Sequence, residues 1–331
     1  MTIIISPFSK PNHKQPMHTL TQAPNDQLSL STKQQQLGSF VGKTPLYPIQ
    51  NLHRNRDVRI LAKLEWQQFG GSVKARPACR IIADAIGEGS LTKGMRLLDA
   101  SSGNTGIAYA HIGAALGIPV TLCLPENASK ERKQILKALD TDIHFSPPTG
   151  GTDEAQQQAR QLAEQYPDKF YYADQYRNPS NWRAHYDTTA PEILRVAQNE
   201  VTHFIAGLGT TGTFTGTGRR LKEHNKDIRL IGLQPDIPMH GLEGWKHLAT
   251  AHVPDIYDNS LPDEIREIST GRALEVLKAA ARHEGLMLSP SSAANLAGAL
   301  QLAGQIDRGT IVTIFPDDSS KYGDMLQKYI Y

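Results

Sequence analysis

In the stretch Gln68-Phe69-Gly70-Gly71-Ser72-Val73-Lys74-Ala75-Arg76-Pro77 an extended segment ends, turns on two glycines and delivers a lysine into the start of a helix. Residues 59–65 alternate as a strand does, and residues 78–85 read as a helix that tolerates Pro77 only in its first turn. Lys74 therefore stands at a helix N-terminus, where the positive end of the dipole disfavours an ammonium and burial depresses its pKa further. Such a lysine is a nucleophilic amine able to form a Schiff base. The spacing alone also fits a solvated lysine beside a turn.

Three further loops place small polar residues where a strand meets a helix. Asp99-Ala100-Ser101-Ser102-Gly103-Asn104-Thr105-Gly106 follows the apolar run 96–98 and opens a helix over 107–116. Its exposed N–H groups and hydroxyls make a seat for a carboxylate, or no more than a capped turn. Gly207-Leu208-Gly209-Thr210-Thr211-Gly212-Thr213 lies between a strand over 203–206 and a helix over 213–224. Amides and threonine hydroxyls there form a phosphate cradle. The same glycines match G-x-G-x-x-G, and Asp236 after the next strand stands where a dinucleotide fold places a ribose-binding acid, so a nicotinamide oxidoreductase competes at this point. Three threonines suit a terminal monophosphate better than a bridging pyrophosphate. In Leu288-Ser289-Pro290-Ser291-Ser292-Ala293-Ala294 serine is again presented on a turn, and at least one of these serines is expected to cap a helix.

The elements that must carry these loops alternate as in a parallel α/β chain. Strands are expected at 120–124, 142–145, 170–173, 203–206, 230–234, 286–288 and 310–315. Helices are expected at 130–139, capped by Ser129, and at 153–165, 213–224, 271–283 and 291–306, with 147–151 a loop. Residues 1–37, rich in Gln, Ser, Thr and Pro, read as a disordered tail. The 331 residues, 39% hydrophobic, suffice for two domains. A net charge of +2 with acids and bases interspersed argues against a nucleic-acid partner. Cys79 and Cys123 form no CxxC or Cys/His cluster, which predicts buried thiols, no metal and a cytoplasmic protein. No run reaches membrane-spanning length.

From Gly38 to the C-terminus the chain resembles the fold-type II pyridoxal-phosphate enzymes, and within them the cysteine synthase (O-acetylserine sulfhydrylase) and cystathionine β-synthase family. The resemblance rests on Gly71-Ser72-Val73-Lys74-x-Arg76-Pro77-Ala78, on residues 101–108 and on 209–213, with support from Pro125-Glu126, Gln175 before Asn178-Pro179, residues 188–193, and Pro316 with Lys321-Tyr322. It implies two three-layer α/β domains with mainly parallel sheets. Residues 68–180 would form a smaller mobile domain binding the substrate carboxylate, and 38–67 with 181–331 a larger domain binding the cofactor phosphate. Pyridoxal 5′-phosphate would sit on Lys74, with Asn104 against its ring hydroxyl, Gly209, Thr210, Thr211, Gly212 and Thr213 around its phosphate and Ser291 at its pyridine nitrogen. Ser101, Ser102, Gly103, Thr105 and Gln175 would grip the substrate carboxylate.

The activity so implied is a transferase or lyase reaction of cysteine biosynthesis. It is a β-replacement on O-acetylserine or a related β-substituted serine with sulfide or a similar small nucleophile, through an α-aminoacrylate. The resemblance also admits a cystathionine β-synthase-like or serine/threonine dehydratase-like enzyme, or a catalytically silent cofactor-binding scaffold, and it implies a homodimer. Three positions depart from the family pattern. Ala75 stands where family members often have Asp or another small residue, Ala293 replaces a glycine and its flexibility, and Glu243, in Met239-His240-Gly241-Leu242-Glu243-Gly244-Trp245-Lys246, stands about where some relatives carry Arg. An acid there would repel a phosphorylated substrate, and His240 and Lys246 would offset it.

Overall fold

The computed structural model describes residues 28–323, with 325 and 327. In chain order its elements are α1 (Leu30–Gly38), β1 (Leu46–Ile49), β2 (Val58–Leu64), α2 (Ala75–Gly87), β3 (Arg96–Ala100), α3 (Asn104–Leu116), β4 (Val120–Pro125), α4 (Lys130–Ala138), β5 (Asp142–Ser146), α5 (Gly151–Gln165), β6 (Phe170–Tyr172), α6 (Ser180–Ala184), α7 (Ala190–Val196), β7 (His203–Gly207), α8 (Gly212–His224), β8 (Arg229–Pro235), β9 (Glu264–Ile268), α9 (Thr270–Glu284), α10 (Pro290–Ala303) and β10 (Gly309–Phe315). A π-helical turn, His185–Thr189, joins α6 to α7.

Two sheets form, one in the order β5-β4-β3-β6 and one in the order β1-β2-β10-β7-β8-β9. All pairings are parallel except that of β1 with β2. Strands buried on both faces need helices on both sides, and alternate residues show this. In the smaller sheet Leu97, Val120 and Leu122 pack with Ile107 and Ile112 of α3, while Leu98, Ala100 and Cys123 pack with Ala155 and Ala159 of α5. In the larger sheet Ile60, Ile205, Leu233 and Ile311 face α9 and α10, and Leu61, Phe204, Leu230 and Val312 face α7 and α8. Each sheet is therefore the middle of three layers, as expected for this fold class.

Three expectations are corrected. Residues 30–37 are not a tail: Ser29 caps α1, accepting from Thr32 N, and Leu30 and Leu37 pack on the core of the smaller sheet. The part of the expected tail at 1–27 lies outside the described residues. Residues 286–288 form no strand, because only Leu288 bridges, antiparallel to Asp318. The loop at 147–151 contains a 3-10 turn, Pro148–Gly150. Two strands of the larger sheet, β1 and β9, were not read from the sequence. Both lie at its edges, and β9 buries little beyond Ile268.

Candidate active site

Lys74 is the N-cap residue of α2 and has no side-chain capping bond. The turn before it uses positive φ at Gly70 (84°) and Gly71 (62°), which glycine reaches without a Cβ penalty. Lys321 Nζ donates to Gly71 O at 2.8 Å and Val73 N to Pro316 O at 2.8 Å, so the turn is fastened to the segment after β10. Lys74 opens onto a cavity of about 600 Å³. Its amine is nevertheless so enclosed that burial lowers its pKa, against the opposing fields of Asp317 and Glu65.

The loop after β3 is shaped by Ser101 Oγ, which accepts from Gly103 N at 3.3 Å and Gly106 N at 3.0 Å. Thr105 Oγ1 donates to Gln175 Oε1 at 2.6 Å, and Gln175 Nε2 donates to Ala100 O at 3.1 Å. The two segments expected to hold a carboxylate are thus one hydrogen-bonded unit. Asn104, first residue of α3, donates through Nδ2 to Asp317 Oδ2 at 2.8 Å, while its Oδ1 is buried with no partner.

The loop after β7 leads into α8 with Thr211 as N-cap in the left-handed region, φ 67°. Its glycines are required by the protein's own packing. A Cβ on Gly209 would lie 2.0 Å from Gly244 O, and one on Gly212 would lie 2.0 Å from Asn181 Oδ1. Thr213 Oγ1 bonds His185 Nε2 at 3.2 Å, and Thr211 Oγ1 is buried without a partner. Ser289 caps α10, accepting from Ser292 N at 3.2 Å, and leaves Ser291 buried in the first turn with Oγ 3.2 Å from Ser289 Oγ.

Lys74, Ser101, Ser102, Gly103, Asn104, Thr105, Gln175, Gly209, Thr210, Thr211, Thr213 and Ser291 all line this one cavity. Gly212 does not, being turned to Asn181. Sequence reasoning missed Asn181, whose Nδ2 donates to Gln175 O at 2.7 Å and Thr210 Oγ1 at 3.3 Å, joining the two loops. It missed His185, which burial, then the charges of Arg76 and Lys74, push down to about 3, so it is neutral beside Thr213. It also missed Arg132 and Asp317. Arg132 pairs with Glu243 at 2.5 Å and lies over the Tyr322 ring at 5.0 Å, and Tyr322 Oη donates to Asp317 Oδ2 at 2.8 Å.

The departures from the family pattern read differently in three dimensions. Glu243 is neutralised by Arg132 instead of confronting the cavity as a free acid. Lys246 lines the cavity with its ammonium 4.9 Å from the centre of the Tyr176 ring. Ala293 sits in regular helix within the larger core, so no flexible position was lost there. Ala75 is fully buried.

The residues present fit pyridoxal phosphate. The cavity is of small-ligand size. Asn104 Oδ1 and Thr211 Oγ1 are buried polar atoms left over for a ligand, and the Lys74 amine forms no ion pair among the described residues. A lysine at one helix N-terminus, a hydroxyl-rich loop at a second and an anion loop at a third, on two parallel α/β sheets, define a fold-type II pyridoxal-phosphate enzyme. The chain belongs to the family "Pyridoxal-phosphate dependent enzyme", whose model matches residues 37–317. That family removes the nicotinamide alternative.

Among similar proteins, cysteine synthase from Aquifex aeolicus is 44% identical over 290 residues, covering 86% of this chain and 89% of that one. The O-acetylserine dependent cystathionine beta-synthase of Bacillus subtilis is 35% identical, covering 88% and 96%. A crystal structure of cysteine synthase (OASS) from Entamoeba histolytica superposes with a TM-score of 0.83 at 30% identity, covering 92% of each chain. No described helix is long and apolar enough to cross a membrane, and no group of His, Cys, Asp and Glu among the described residues could hold a metal.

Proposed function

We propose that this chain catalyses β-replacement on O-acetylserine or a close β-substituted serine, with sulfide or a similar small nucleophile, yielding L-cysteine or an analogue. The observation that carries it is the loop shaped by Ser101, with Thr105 bonded to Gln175 and Gln175 to Ala100 O, lining one cavity with Lys74. That unit suits a free amino-acid carboxylate and has no purpose in a scaffold. Lys74 would carry the cofactor, the amides and hydroxyls of Gly209 to Thr213 its phosphate, Asn104 Oδ1 its ring hydroxyl and Ser291 its ring nitrogen. Pyridoxal phosphate supplies an electron sink for the bond broken at the amino acid's α-carbon.

The chain's own groups do the rest. The loop at 101–105 holds the substrate carboxylate on N–H groups at the start of α3. Lys74, with its pKa lowered by burial, has a proton affinity suited to take up and return the α-proton. Ser291 is a neutral hydroxyl, which leaves the ring nitrogen without a carboxylate partner and favours loss of the leaving group over transamination. His185 is neutral beside Thr213, so that side chain adds no positive charge and the loop would hold the phosphate through amides and hydroxyls.

Purified protein should be yellow, and borohydride reduction should fix the cofactor on Lys74; a colourless protein with unmodified Lys74 removes the proposal. O-acetylserine alone should change the visible spectrum. A change with serine or threonine only would move the activity to a synthase of cystathionine or a dehydratase. Lys246 over Tyr176 gives that second reading its support, since a half-buried ammonium at the cavity suits a thiol bearing its own carboxylate. We also place the protein in the cytoplasm as a homodimer, supported for the first by two free, buried cysteines. The carboxylate-binding half, 68–180, and the phosphate-binding half, 38–67 with 181–331, are proposed as its two domains.

A further inference from the structure

Lys74 and Asp317 start from a shared anchor. Val73 N donates to Pro316 O at 2.8 Å, so Lys74 and Asp317 each directly follow a partner of one backbone hydrogen bond, and Val73, Lys74 and Pro316 line the cavity. Asp317 is wholly buried. Two carboxylates act on the Lys74 amine, Asp317 and Glu65. Glu65 has nothing to offer: Oε1 accepts from Thr44 Oγ1 (2.7 Å) and Arg76 Nη2 (2.9 Å), and Oε2 from Arg76 Nε (2.6 Å) and Gln68 Nε2 (2.8 Å). Asp317 is half used. Its Oδ2 accepts from Asn104 Nδ2 and Tyr322 Oη, both at 2.8 Å, whereas Oδ1 is buried with no partner.

An unpartnered buried carboxylate oxygen is costly and calls for a donor. Lys321 and Arg132 lie in the field of Asp317, as does the acid Asp318 in that of Lys321. Lys321 Nζ is committed to Gly71 O and Arg132 to Glu243, and among the described residues neither is ion-paired with Asp317. His185, neutral, adds no charge beside Lys74.

We propose that Asp317 Oδ1 is the counter-ion of the free Lys74 amine, a positioning residue that receives the ammonium whenever the lysine is not joined to the cofactor and keeps it beside the substrate. Lysine's four-carbon stem can swing between the two positions without moving α2. Asn104, bonded to the other oxygen, orients the carboxylate so that Oδ1 remains free, which ties the amine's resting place to the residue expected at the cofactor ring.

The inference rests on Lys74 as the cofactor lysine, and its test separates the two. Full-length protein is stripped of cofactor with hydroxylamine, and carbamylation of Lys74 by cyanate is followed by peptide mass spectrometry across pH. Asp317→Asn should lower the pH midpoint of Lys74 modification by at least about one unit, raising carbamylation near neutrality about tenfold. Asp317→Glu, which keeps the charge, should restore most of the wild-type midpoint. Tyr322→Phe, which releases only Oδ2, should leave it in place. Asp317→Ser makes the same measurement if circular dichroism finds Asp317→Asn unfolded. An unmoved midpoint in the folded neutral variant overturns the counter-ion alone, whereas absence of cofactor on Lys74 after borohydride reduction removes the lysine assignment as well.

Discussion

Asn104 divides its amide between two tasks: Nδ2 is spent on Asp317, and Oδ1 waits for a ligand. Asn104→Ala should therefore keep the visible absorbance of the bound cofactor, since Lys74 and the loop at 209–213 are untouched. A hydrogen bond to a charged group is worth about 1.5–3 kcal/mol, so kcat should fall roughly 10- to 150-fold. Loss of the cofactor from this variant would count against the assigned roles. Asp99 is a second residue with a single measurable consequence. Its carboxyl accepts from Ala100 N at 2.8 Å and is pushed up to about 7, chiefly by burial, although the Ala100 N–H favours its ionised form. Asp174 adds repulsion, and buried Tyr109 and Cys123 with half-buried Tyr172 are groups whose own pKa values the Asp99 charge helps push up. A carboxyl raised above its unfolded value of about 3.9 removes stability as pH rises from about 4 to about 7 and removes no more beyond. The loss is on the order of 4 kcal/mol. Asp99→Asn should flatten that slope in denaturant titrations between pH 4 and 7, and an unchanged slope would show that another group is responsible.

At the scale of elements, Lys74 is only as well placed as α2, and α2 is held by a buried ionic cluster. Arg76 donates to both oxygens of Glu65 and of Glu192. Lys63 donates to Thr44 O at 2.8 Å and pairs with Glu192 at 2.7 Å. Burial would raise the Glu192 pKa, but Arg76 and Lys63 outweigh it and hold Glu192 down to about 2. This contribution is complete above the unfolded carboxylate value and is lost as pH falls toward about 2, the opposite sign to Asp99. Removing one member leaves a buried charge unpaired, so Arg76→Ala should cost about 3–5 kcal/mol in unfolding free energy. A loss under about 1 kcal/mol would mean that the cluster is solvated.

The same scale shows what the sequence could disclose. Loops at strand-to-helix junctions were legible because glycine, hydroxyls and flanking apolar runs are local signals, and so every assigned ligand group except Gly212 reached the cavity. The edge strand β9, Glu264-Ile265-Arg266-Glu267-Ile268, was hidden by its polarity, since an edge needs little burial. Helix α1 was hidden because its partly buried leucines are separated by a polar run that resembles a tail. Asp317, Arg132, Asn181 and His185 had no local signal: each acts through a partner brought close only by the fold.

For the whole molecule, the contacts between the two sheets bear on how the proposed halves move. The boundary at 68 runs through a segment riveted to the larger half: Gly71 O to Lys321, Val73 N to Pro316 O, and Arg76 to Glu192. Residues 68–76 should thus travel with the phosphate-binding half, and under the proposed division the moving body would be the four-stranded sheet with α3, α4 and α5. Two polar latches join that body to the larger half at the cavity wall, Asn104 with Asp317 and Arg132 with Glu243 and Tyr322. A ligand whose carboxylate sits on the loop at 101–105, and whose other end sits over the phosphate loop, touches both bodies and favours the closed state by its differential contacts. Closure would also exclude water from the reacting carbon. Small-angle scattering of the holoenzyme should therefore record a smaller radius of gyration when a non-reactive amino acid saturates it. The change should be lost in Asn104→Ala, which lacks one latch and a ligand contact, yet keeps its cofactor. Arg132→Met should close less completely and raise KM more than it lowers kcat, because Arg132 is tied to Glu243 and Tyr322 and is assigned no contact with the reacting atoms. An unchanged profile for saturated wild type removes the closure model, and a monomeric mass in the same solution removes the proposed homodimer while leaving closure within one chain intact.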